Sequence, residues 1–417
     1  MGDALIKNEI PLKNGQILKN PSLFVELKRK REANLVRETI FRYPINNDNH
    51  DGINQIDGFN IPLSSYADVA PHLHPDLKSA FDENHYSIDK RIRLIDPSLY
   101  LLFMGSGSDK KECCDVLKDW LPSLPPIVES ISDLKSLREK ADRSIREIYP
   151  LLDVVLAQKL FEYQIKNNAS ILINPSVPIS SSRMIKAQVE KMREMNRVGR
   201  VVLNTLLTRF KTKRDLMNMA TLSPSVLISA NRVNILDAIM QGEPDIIGIR
   251  LMNLDEKKSV EMKDVLKFIE SLSSSGKPTF VFNVREFGYV AFCYGACVVS
   301  MPIAKSPYTT RKKGSERPIK LGSYYHYYDM IDYSYVGLRE KILAKNYALP
   351  CHCEICNHFG SLLKIDKRHW NYFRKVHFLL VKNMEMQEFR KTQVPLNIAL
   401  KDKFGRSLKT GYVSLLP

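Results

Sequence analysis

The residues best suited to chemistry in this chain are three cysteines within six positions, Cys351, Cys353 and Cys356, in the run CHCEIC. Cys-x-Cys-x-x-Cys puts three soft donors on one tight turn, and a tetrahedral zinc ion asks for a fourth. His377 is the expected fourth ligand, because it falls in the helix-like run FRKVHFLLVKN, a rigid platform for one imidazole. His358 and His369 are alternatives, and His352 sits inside the turn itself. Zn2+ held by four protein ligands has no open position for water, so the expected site is structural, not catalytic. Seven cysteines, an odd number, in a chain of 417 residues fit reduced thiols better than a disulfide framework.

A second cluster carries charge. Arg311, Lys312, Lys313, Arg317 and Lys320 fall within ten residues, with Tyr308, Tyr324, Tyr325, Tyr327 and Tyr328 nearby. Arg and Lys neutralise phosphates and tyrosine rings stack on unpaired bases, so this stretch is the expected nucleic-acid contact. Asp329 and Asp332, in YYDMIDYSY, are the expected acids or bases of any reaction there. MGSGSDKK at 104–111 follows a strand-like run but lacks the full spacing of a phosphate loop. Cys113 and Cys114 read as core residues.

The elements that must position these residues alternate along the chain. Strand-like runs are Leu99–Met104, Ser170–Asn174, Val201–Thr205, Ser225–Ser229, Asp245–Arg250, Thr279–Asn283 and Ala296–Ser300. Helix-like segments lie between them, among them SRMIKAQVEKMREMNRV, KRDLMNMATL and KSVEMKDVLKFIESLSSS, and another runs from about Arg368 to Lys391. Near-continuous apolar strands alternating with helices predict a parallel sheet, and seven or eight such units in about 200 residues predict a TIM-like (β/α)8 barrel. The expected division is an N-terminal extension over 1–95, the α/β barrel over 96–345 and a zinc-binding C-terminal subdomain over 346–417.

The formal charge is +16, and residues 301–417 hold 21 Lys and Arg against 9 Asp and Glu. So +12 of the excess lies in the last stretch of the chain, which suits a surface that meets phosphates. No apolar run reaches membrane-spanning length, and the first residues lack the apolar core of a secretory signal. A cytoplasmic protein is expected.

The C-terminal part of the chain resembles the tRNA-guanine transglycosylase family. CHCEIC with a later helical histidine is similar to that family's zinc motif. EPDIIGIRLMNLDE at 243–256 and KPTFVFNVREFGYVAFCYGACVVSMP at 277–302 are similar to strands of its barrel. The resemblance implies a zinc-stapled barrel that swaps guanine for a 7-deazaguanine base in tRNA or DNA. It also implies an aspartate nucleophile at the last strand end, where this chain reads Ala296 to Pro302 without a carboxylate. Asn174 stands in ILINPSV where another carboxylate would be expected.

Three functions follow from these readings. The first is a catalytically degenerate transglycosylase-like protein that binds nucleic acid, working in a homo- or heterodimer with another such subunit. The second is an active base-exchange enzyme with relocated catalytic residues, Asp329 and Asp332 being the candidates. The third is an unrelated barrel enzyme for a small-molecule substrate.

Overall fold

The computed structural model describes residues 9–42, 56–73, 91–104, 107–180, 184–252, 254, 259–285, 287–303, 323–325, 332–334, 353–360, 364, 369–392, 394–405 and 410–417. A hairpin of β1 (Glu9–Pro11) and β2 (Ile17–Lys19) comes first. Eight parallel strands then close into a barrel: β3 (Ser22–Glu26), β4 (Ile56–Pro62), β5 (Ile92–Asp96), β6 (Ile171–Ile173), β8 (Asp215–Leu222), β9 (Ile246–Leu251), β10 (Thr279–Phe282) and β11 (Ala296–Pro302). Closure comes from pairing of β11 with β3 and of β6 with β8. The short β7 (Pro178–Ile179) pairs with the far end of β8.

Helices α1 (Lys30–Arg42) and α2 (Leu63–Leu73) follow the first two barrel strands. Five helices separate β5 from β6: α3 (Tyr100–Met104), α4 (Gly107–Leu117), α5 (Leu124–Asp133), α6 (Leu137–Glu147) and α7 (Val154–Lys166). Then come α8 (Ile185–Arg209), α9 (Ser229–Met240), α10 (Ser259–Ser273) and α11 (Phe287–Cys293), and after β11 α12 (Glu354–Phe359), α13 (Trp370–Lys391) and α14 (Leu396–Gly405). Among the described residues no helix is long and apolar enough to cross a membrane.

Strand side chains alternate between two cores, as the two-residue period requires. Phe24, Leu94, Ile173, Met219, Phe282 and Val298 fill the barrel interior, and Leu12 and Leu18 of the hairpin join them. The hairpin sits at the N-terminal end, where the Lys13 amide donates to Asp215 at the start of β8. Leu23, Val25, Phe59, Ile61, Ile95, Ile249, Val281 and Val299 face the helices instead. Burial on both faces explains why these strands read as unbroken apolar runs.

Several expected elements differ from the observed ones. Residues 1–95 are not an extension alone: the barrel strands β3 and β4 lie there, and β5 crosses the boundary. Leu99–Met104 is mostly α3, and the strand is the run before it, Ile92–Asp96. Val201–Thr205 lies inside the 25-residue α8, where Val202, Leu203 and Leu206 are buried and Val201 and Thr205 are not. A helical face thus outweighs the β preference of its branched residues. The helix-like KRDLMNMATL contains β8, whose eight residues are all buried; contacts on both faces outweigh the helix preference of Leu, Met and Ala. Ser225–Ser229 is a 3-10 turn leading into α9.

The last part of the chain is not a separate lobe in the described residues. Helix α13 takes the place of the eighth barrel helix, packing against α1 and β12 (Ser323–Tyr325), which pairs with β13 (Asp332–Ser334). Phe389 of α13 meets the Tyr289 ring of α11 edge-on at 5.0 Å.

Candidate functional site

The metal-ligating candidates meet where α12 abuts α13. Cys353 takes the N-cap position of α12 and Cys356 sits in its first turn. Gly360 ends the helix with a left-handed φ of 62°, which a side chain would disfavour, and its amide closes on the Cys356 carbonyl. His377 lies in α13, fully buried. Its Nδ1 stands 3.1 Å from the Cys353 sulfur and 3.5 Å from the Cys356 sulfur. All three donor atoms lie within 4.8 Å of one another, so the cluster could hold a metal ion. One imidazole nitrogen cannot hydrogen-bond both sulfurs well, whereas two thiolates and an imidazole around one ion are separated by S···N edges of about 3.5 Å. The donor set therefore fits a soft divalent cation. Cys351 and His352 lie outside the described residues. His358 and His369 are exposed, so burial and direction single out His377.

Buried charge docks α13 on the barrel. Lys382 pairs with Glu385 at 3.2 Å, the Tyr289 hydroxyl donates to the same carboxylate, and the Lys382 ammonium lies 4.6 Å from the centre of the Tyr289 ring. At one end of the helix Lys375 meets Glu32 in the first turn of α1 at 3.8 Å. At the other, Arg390 donates to the Pro21 carbonyl and to Asp57, beside the starts of β3 and β4.

A second constellation fills the C-terminal end of the barrel, where loops after the strands place active sites in this architecture. Strand parity aims a ring of polar side chains inward, Thr221 one step above Met219 and, one step above Phe24, Gly58, Leu94, Gly248 and Val298, the five that matter here: Glu26, Asn60, Asp96, Arg250 and Ser300. All five are nearly inaccessible to solvent. Arg250 bridges two of them, its Nη1 donating to Glu26 at 2.9 Å and its Nη2 to Asp96. The guanidinium also lies 4.9 Å from the Tyr100 ring centre and 5.6 Å from that of Phe282, within cation–π range. Lys28 approaches the same Glu26 oxygen at 3.5 Å. Asp96 is held from the other side by the Ser98 amide at 2.8 Å. Ser98 and Asn283, both just past strand ends at this mouth, have left-handed φ values of 56° and 62°. Such backbone strain in non-glycine residues gathers at functional sites.

The two carboxyls are pushed apart in acidity. Burial raises Glu26, but the charges of Lys28 and Arg250 outweigh it and leave the group below its ordinary value. Burial also raises Asp96, and there Arg250 and the Ser98 amide do not fully offset it. Glu26 therefore holds its charge while Asp96 holds a proton more readily, the division an acid and its partner base need. Among the described residues Glu26 Oε2, both amide atoms of Asn60 and Ser300 Oγ have no hydrogen-bond partner.

The basic stretch Arg311, Lys312, Lys313, Arg317 and Lys320 and the candidate acid Asp329 lie outside the described residues. Asp332 opens β13, its backbone paired with Tyr325. Asn174 is not at the mouth; its amide donates to Met195, Asn196 and Asn218 between β6, α8 and β8. Cys113 and Cys114 are buried, and burial raises both thiols, as core residues. Sequence reasoning missed Glu26, Asn60, Asp96 and Arg250. The usable signal was one polar or charged residue near the C-terminal end of an apolar strand, as in SLFVE, RLID and IIGIRL.

No family model matches this chain, and no curated protein matches it.

Proposed function

We propose that this protein is a zinc-stapled barrel enzyme that exchanges a base at a glycosidic bond of nucleic acid, in the manner of the transglycosylases its C-terminal part resembles. The observation that carries the reading is the pair of buried carboxylates, Glu26 and Asp96, held by one guanidinium at the barrel mouth. These take the catalytic roles expected of Asp329 and Asp332. Glu26 attacks the anomeric carbon through its unpartnered Oε2 as the carbon–nitrogen bond breaks, and Asp96 gives its proton to the departing base. The incoming base then attacks the same carbon, releases Glu26, and returns a proton to Asp96. Zinc, bound by Cys353, Cys356 and His377 with Cys351 as the fourth ligand, is structural. The basic run from Arg311 to Lys320 binds phosphates of tRNA or DNA.

The test is incorporation of labelled guanine or a 7-deazaguanine base into tRNA and duplex DNA. Wild-type protein should incorporate label, and Glu26→Gln and Asp96→Asn should each abolish it. One observation favours a second reading: β11 offers Val298 and Ser300, not a carboxylate, to the interior. If no label enters either polymer while salt-sensitive binding persists, the protein is a silent nucleic-acid-binding partner.

A further inference from the structure

We infer that Asn60 reads the sugar of the substrate, so that the mouth takes a ribonucleotide in preference to its deoxy counterpart. This rests on the base-exchange reading of the same site. Asn60 and Glu26 are direct partners on neighbouring strands, with side chains on the same inward face. Parity is fixed by Gly58, two residues earlier, where an added Cβ would meet the Phe24 ring in the barrel interior. Neighbouring strands lie about 5 Å apart, so paired residues facing one way start that close together. A sugar under attack by Glu26 therefore has a ring neighbour of its anomeric carbon beside the Asn60 amide, and the 2′-carbon edge suits it better than the ring oxygen, which has no proton to donate to Oδ1.

That amide is fully buried, and among the described residues both its Nδ2 and its Oδ1 lack a partner. Buried polar groups are rarely left so; ordered water, an ion or a ligand completes them. Its oxygen needs a donor and its nitrogen an acceptor, side by side. A ribose edge supplies both, since the 2′-hydroxyl donates to Oδ1 while the 3′-oxygen accepts from Nδ2. The 3′-oxygen still accepts when it is part of a phosphodiester, so the match survives in a polymer. Deoxyribose has no 2′ donor and would leave Oδ1 buried and unsatisfied. Ser300, on the strand flanking β3 from the other side, has a second unpartnered hydroxyl facing the same space.

Calorimetric titration of the zinc-loaded full chain with guanosine, 2′-deoxyguanosine and 2′-O-methylguanosine tests this without any variant. Guanosine should bind at least about tenfold more tightly than the other two, because both lack the 2′ donor. Asn60→Leu should bring the three affinities together, chiefly by weakening guanosine. Equal affinities in the wild type, a ratio unchanged in Asn60→Leu, or no binding of any of the three overturns the inference. Failure of the base-exchange reading is seen separately: a ribose preference in binding with no label entering tRNA or DNA sinks the reaction and leaves the sugar contact standing.

Discussion

Replacing Arg250 with Met is the sharpest test of the barrel mouth. The side chain is 1% exposed and bridges two carboxylates that are equally buried, so solvent does little to screen the loss. Removing one partner of a buried ion pair costs about 3–5 kcal/mol, because the remaining charge is left uncompensated. Here the lower end is expected. Asp96 already holds its proton more readily than an ordinary aspartate and can go neutral, and Glu26 keeps Lys28 at 3.5 Å. About 3 kcal/mol is still a large share of a domain stability of roughly 5–15 kcal/mol. The pH dependence gives a second handle. In the wild type the lowered Glu26 contributes stability above its ordinary value, and that share is lost as pH falls through its folded value. In Arg250→Met both carboxyls lose their cation and their folded values rise, so the variant gains stability relative to the wild type as pH falls. Urea unfolding at about pH 8 and about pH 5 should show the gap narrowing toward acid. The triple variant Glu26→Gln, Asp96→Asn, Arg250→Met should recover part of the loss, since neither buried carboxylate is left without its cation; Lys28 loses Glu26 but keeps the charge of Glu32 nearby. A penalty under about 1 kcal/mol, the same at both pH values, would refute the charge argument.

Three other outcomes follow from the same structure. Cys353→Ser should lower bound zinc and speed amide exchange along α13 more than along β8 and β9, since metal affinity at such a site is folding energy; full zinc stoichiometry in the variant would count against the cluster. Changing Arg311, Lys312 and Lys313 together to Ala should weaken binding alike across sequences and flatten the logarithmic salt dependence by about 2–3 units, nearly one per phosphate contact; an altered sequence preference would show that the stretch reads bases. In the exchange assay the acid limb of the pH profile should lie below the ordinary glutamate value and the basic limb above the ordinary aspartate value. A profile that only rises with pH would remove Asp96 as the acid.

The barrel was legible because its strands are buried on both faces and flanked by long helical periods. IIGIRL, TFVF and ACVVSMP are apolar enough to show this directly. The first strands were harder to see, since SLFVE and RLID are short and sit among polar, turn-rich stretches. The Cys/His cluster was legible from spacing for Cys353 and Cys356, and from a rigid helix for His377. The mouth was not, because nothing in a linear chain says that Glu26, Asp96 and Arg250 share one space. They are 224 and 154 residues apart in the two pairs that matter. Only closure of the barrel, which sets β9 across from β3 and β5, brings a guanidinium between two carboxylates.

The place of the Cys353, Cys356 and His377 cluster in the fold bears on that same mouth. At about 1.5 Å per residue the 22-residue α13 is about 33 Å long, enough to run the height of the barrel beside α1. Arg390 pins its far end at the starts of β3 and β4, while His377 lies near the end where Lys375 meets Glu32. Glu32 accepts the Lys28 amide at 2.9 Å, and the Lys28 ammonium in turn leans on Glu26. The helix carrying His377 therefore abuts the first turn after β3, and that turn sets the charge environment of Glu26. A metal ion bound by His377 would therefore do more than fix a tail: by tying down the eighth helix of the barrel it would hold the turn beside a buried carboxylate in one conformation, which is what preorganised acid–base chemistry requires.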